Sequence, residues 1–82
     1  MGLKKLAAKV ADYNERFEQG KASKIKPSHV ERVLEKLLQK AADLRADMAT
    51  ADSPEKKARI EKKLGVATAQ IERAKWLLKE IS

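Results

Sequence analysis

Thr50-Ala51-Asp52-Ser53-Pro54 is the stretch that decides the fold. Ser53 carries a side-chain oxygen suited to capping a helix start, Pro54 is pre-set for the first helical position, and Glu55 places a negative charge in the first turn. One helix is therefore predicted to stop near Thr50 and another to restart at Pro54. A connection this short leaves the two as antiparallel neighbours.

Apolar seams run outward from this break in both directions. Upstream, Val30, Leu34, Leu37, Ala41, Leu44 and Met48 recur in a 4-3-4-3-4 rhythm, flanked by Val33 and Leu38. The flanks widen the apolar face to roughly 140°, enough for two neighbouring helices. This second helix starts either with Pro27 in its first turn or with Ser28 as N-cap and Glu31 completing a capping box. Downstream, Ile60, Leu64, Ala67, Ile71, Ala74, Leu78 and Ile81 form an unbroken heptad seam. Counting outward from the turn sets Met48 and Leu44 beside Ile60, Leu37 beside Ala67, and Val30 beside Ala74.

A first helix is read from Leu3, Leu6, Val10, Tyr13 and Phe17, which lie along one narrow stripe and lead to Gly20, a natural left-handed cap. The connector Lys21 to Pro27 breaks the period, because Pro27 disfavours helix at the residue before it. If the first helix folds back on the second, its N-terminus lies by the 50–54 turn, and Tyr13 and Phe17 reach the other end, near Ile25, Val30 and Leu77. The expected fold is all-α, a single domain over 1–82 built as a three-helix up-down-up antiparallel bundle with coiled-coil-like heptad packing. Its helices are placed at about 3–19, 28–50 and 54–81. The alternative is a long helical hairpin that dimerises into a four-helix bundle.

The bulk composition agrees with long helices. Of 82 residues, 43% are hydrophobic and 38% charged, with three Gly and two Pro. A chain this short is near the lower limit for a self-sufficient core, which keeps self-association in view. With no Cys there are no disulfides and no thiolate metal sites. The start, Met1 to Leu6, lacks the apolar run of a signal peptide, and no run approaches a membrane span, so a cytoplasmic location is expected. Gly2 raises myristoylation, but Leu6 stands where the acceptor pattern wants Ser or Thr.

No constellation supports catalysis. His29 is the sole histidine, and a metal site needs at least three ligands. Glu31 with Glu35, and Asp43 with Asp47, share helix faces at i,i+4 but read as solvated positions beside Lys and Arg. No nucleophile is paired with a base, and no Gly-rich loop offers to cradle phosphate. Neither an enzyme nor a cofactor nor a small-molecule substrate is expected.

Two surfaces remain as candidates. Net charge is +7, concentrated in the first and last thirds. Lys56, Lys57, Arg59, Lys62 and Lys63 form the densest cluster, and in the expected bundle they share an end with Lys4 and Lys5, making a basic pole for phosphate or nucleic acid. No aromatic residue is interleaved with the cluster, so base stacking is unsupported.

The second candidate is Trp76, which falls roughly 160° from the seam of its helix, on the side of Gly65 and Ala69. Val66 and Leu77 lie between the two faces. The Gly65, Val66, Ala69, Trp76 and Leu77 side is read as an interface for the first helix or for a second copy of the chain. The function expected is thus a non-enzymatic helical protein-protein interaction module, self-associating as a homodimer or binding another protein. The alternative is a small basic nucleic-acid-binding protein.

Overall fold

A computed structural model describes residues 2–82 as a three-helix bundle: α1 (Leu3–Glu18), α2 (Pro27–Thr50) and α3 (Pro54–Ile81), with a single 3-10 turn at Ala22–Lys24. The described residues contain no strand. The molecule measures 47 × 18 × 18 Å, its long axis set by the hairpin of α2 and α3.

The breaks have local causes. Gly20 adopts φ +75°, and its N–H donates to the Phe17 carbonyl at 3.1 Å while the Lys21 N–H donates to the Arg16 carbonyl at 2.8 Å. This pair of bonds is a Schellman motif, and it satisfies two carbonyls that the end of α1 would otherwise leave open. Lys26 is extended because Pro27 follows it, so α2 opens with proline at its first position. The Ser28 N-cap is not used; the helix starts too early for it. At the other turn the Ser53 hydroxyl accepts the Lys56 backbone N–H at 3.2 Å, and Pro54 begins α3.

The core is apolar throughout, with no buried polar or charged residue among those described. Leu6 and Val10 of α1, Val30, Val33, Leu37, Ala41 and Leu44 of α2, and Ala67, Ile71, Ala74 and Leu77 of α3 are buried, and Ile25 from the connector closes one end. The broad face of α2 serves both neighbours. Lys9 and Tyr13 of α1 stand beside His29, Val33 and Lys36 of α2. Val10 and Asn14 of α1 stand beside Gln70 and Arg73 of α3, where Arg73 Nη1 donates to Asn14 Oδ1 at 3.2 Å. The helix that packs against the hairpin is thus the chain's own α1.

The seam of α3 needs one correction. Leu77, off the heptad stripe, is 0% exposed, while the seam residue Leu78 is only partly buried. The spacing 66-70-73-77 is itself a helical stripe, turned about 100° from the seam. That stripe faces α1.

A second correction concerns where the N-terminus of α1 lies along the hairpin. The 16 residues of α1 span about 24 Å, against about 36 Å for α2 and 42 Å for α3. Gly2 and Leu3 stop level with Lys40 of α2 and Val66 of α3, well short of the 51–53 turn by which the sequence placed them. Among the described residues, no third helix lies over the roughly 15 Å of hairpin from Lys40 to Thr50.

Candidate docking trough at the basic end

Beyond the described end of α1, the α1-facing side of the hairpin is a trough. Where α1 ends it opens into a concavity of about 590 Å³, with mainly carbon walls, between Leu3 and Lys4 of α1, Lys40 of α2 and Arg59, Lys62, Lys63 and Val66 of α3. Toward the turn a second concavity of about 320 Å³ is bounded by Asp47, Thr50 and Ala51 of the α2 side and Lys56, Arg59, Ile60 and Lys63 of α3, with Arg59 and Lys63 lining both concavities. Arg59 and Lys63 therefore run along the junction of the two.

The apolar floor follows from the seams. Ile60, only partly covered, lines the smaller concavity, and Leu3, also partly covered, and Val66, 41% exposed, line the larger. Long Lys and Arg stems supply further carbon to the walls while their charged heads remain in water. The rim is basic. Lys4, Lys40, Arg59, Lys62 and Lys63 all border the larger concavity, and no carboxylate lines it.

The sequence-derived basic pole is thus brought together only in part. Lys4, Arg59, Lys62 and Lys63 converge on the larger concavity. Lys56 belongs to the smaller one and lies 3.3 Å from Asp52 in an exposed i,i+4 ion pair, which offsets its charge locally. Lys5 and Lys57 are exposed and border neither. Lys40 is the member that sequence reading missed. It sits in the chain's central third, where acidic residues outnumber basic ones, and only the stopping point of α1 brings it to the rim.

The Trp76 side resolves differently. Trp76 is 44% exposed and meets Phe17 of α1 edge-on, with ring centroids 5.3 Å apart and planes at 78°. Gly65 and Ala69 are exposed, and a Cβ on Gly65 would meet nothing within 4 Å, so no helix approaches closely there. Leu77 lies in the core, and Val66 belongs to the trough. The five residues do not form one surface. Leu38, at 45% exposure, is the remaining large apolar side chain open to water among those described.

The titratable residues singled out from the sequence lie apart on the described surface. His29 is exposed beside Lys9, Arg32 and Lys36, without a carboxylate in that concavity. Glu31, Glu35, Asp43 and Asp47 are exposed, and Asp43 accepts from Gln39 Nε2 at 3.0 Å. No group of three or more His, Asp or Glu among the described residues converges as a metal site. No described helix is long and apolar enough to cross a membrane. No protein-family model, curated protein or solved structure matches the chain, so the reading of the trough rests on its own geometry.

Proposed function

We propose that this chain is a non-enzymatic helical interaction module that docks another protein in the trough at the end of its hairpin. The observation that carries the reading is the pair of adjoining concavities beside Leu3, in which the apolar Leu3, Ile60 and Val66 are set among Lys4, Lys40, Arg59, Lys62 and Lys63. A surface that joins an apolar centre to a charged rim has the anatomy of a protein interface. A second copy of this chain is a poorer occupant, because a two-fold contact through this face sets the same cations against each other.

Nucleic acid is the second reading, favoured by five cations around one concavity and a net charge of +7. It leaves the apolar floor without a role, and no aromatic side chain borders the trough for a base to stack on.

The experiment is a retrieval from nuclease-treated extract of the source cells, with the full chain and its Arg59→Glu/Lys63→Glu variant as parallel baits. A protein retained by the first and lost by the second is the expected result. Proteins held equally by both baits, with nucleic acid the only material that differs before nuclease treatment, overturn the reading in favour of the second.

A further inference from the structure

We infer that the partner segment is an acidic amphipathic α-helix of about three turns that lies in the trough as a continuation of the α1 column. The inference rests on the interaction-module reading and adds the chemistry of what is bound.

Three features of the trough select this occupant. The first is shape. Between Lys40 and Thr50 the hairpin offers about 15 Å of the same cleft that seats α1, and a cleft between two antiparallel helices at helix spacing is filled by a helix. A flat lipid surface does not enter it. The second is the floor. Ile60 and Val66 are apolar and incompletely covered, with Leu3 at the closed end, and side chains at i, i+3, i+4 and i+7 on one helical face can meet them in turn.

The third is charge. Lys40 stands on the α2 rim, and Arg59, Lys62 and Lys63 stand on the α3 rim, with Lys4 at the closed end. None of these five takes part in an ion pair within the described chain. The one acidic side chain bordering the trough is Asp47, toward the turn. A helix with carboxylates flanking its apolar stripe places them against both rims at once, and a basic or neutral helix of the same apolar pattern leaves the rims unmatched.

The test is fluorescence anisotropy of the full chain with three labelled probes. One is a peptide of about 14 residues with Leu at i, i+3, i+4 and i+7 and Glu on the flanks, the second a scramble of identical composition, and the third a single-stranded oligonucleotide of equal net charge. The ordered peptide is expected to bind at least about tenfold tighter than its scramble, and Arg59→Glu/Lys63→Glu and Val66→Asp are each expected to weaken it by about tenfold or more. Lys57→Glu, outside the trough, is the control and is expected to change affinity by less than about twofold. Circular dichroism establishes that each variant keeps its helix content.

Equal affinity for ordered and scrambled peptides overturns the docked helix but leaves a protein-binding module intact. So does failure of every peptide to bind while a cellular protein is still retained by the trough. An oligonucleotide that binds tighter than the ordered peptide overturns both this inference and the reading beneath it.

Discussion

Truncating Leu77 or Leu78 separates the seam read from sequence from the packing that forms. Leu77→Ala removes three carbons from a side chain that is 0% exposed. At about 0.8 kcal/mol per buried carbon, transfer alone costs about 2.4 kcal/mol, and the cavity raises this to about 3 kcal/mol. Leu78→Ala removes the same atoms from a partly exposed side chain in the last turn of α3, where the site relaxes into water, and is expected to cost about 1 kcal/mol.

A chain of 82 residues has a total stability of about 4–12 kcal/mol, so the first variant loses a large share of it and its midpoint temperature falls by roughly 12–24 °C. Urea titration followed by far-ultraviolet circular dichroism, with Trp76 fluorescence as a second probe, measures both variants. A Leu78→Ala loss equal to or greater than that of Leu77→Ala refutes the reasoning, because it means that α1 does not cover the 66-70-73-77 stripe.

The remaining predictions concern the glycines and the aromatic pair. Gly65→Ala is expected to raise stability by about 0.5–1 kcal/mol, since a helix-interior glycine is replaced where the new methyl meets nothing. Gly20→Ala is expected to lower it by about 1 kcal/mol, because the left-handed backbone at φ +75° strains any side chain even in open space. Thermal melts measure both; destabilisation by Gly65→Ala would show that another helix packs on that side. Phe17→Ala should shift the Trp76 emission maximum to the red and cost about 2 kcal/mol, by removing the edge-on ring and its buried area. An unchanged maximum means that the contact does not form in solution.

Much of the fold was legible because it rests on local rules. Gly20, Pro27, Ser53 and Pro54 act within their own turns, so the helix breaks follow from residue chemistry alone, to within one residue at each observed end. The breadth of the α2 face, with Val33 turned toward α1, was equally readable from spacing. Leu77 was harder. It belongs to a second stripe whose burial depends on where α1 lies, and Trp76, pointing away from the seam by angle, is long enough to reach Phe17 across the end of the bundle.

The candidate site divides the same way. The lysine cluster on α3 is a sequence fact, and so are the helix lengths that leave α1 short. Which cations share a rim is not, because Lys4, Lys40 and Lys63 are brought together by three different helices at a depth set by the stopping point of α1.

The sequence by itself determined three amphipathic helices, their breaks and the antiparallel hairpin, since periodicity, caps and short connections act over a few residues. The tertiary structure alone decided that α1 packs in cis along the 66-70-73-77 stripe and that it ends about 15 Å short of the turn. Axial offset between packed helices is set by the whole set of side chains that interdigitate, with Ile25 and the Schellman turn fixing where α1 begins its return. The trough is the consequence of that offset.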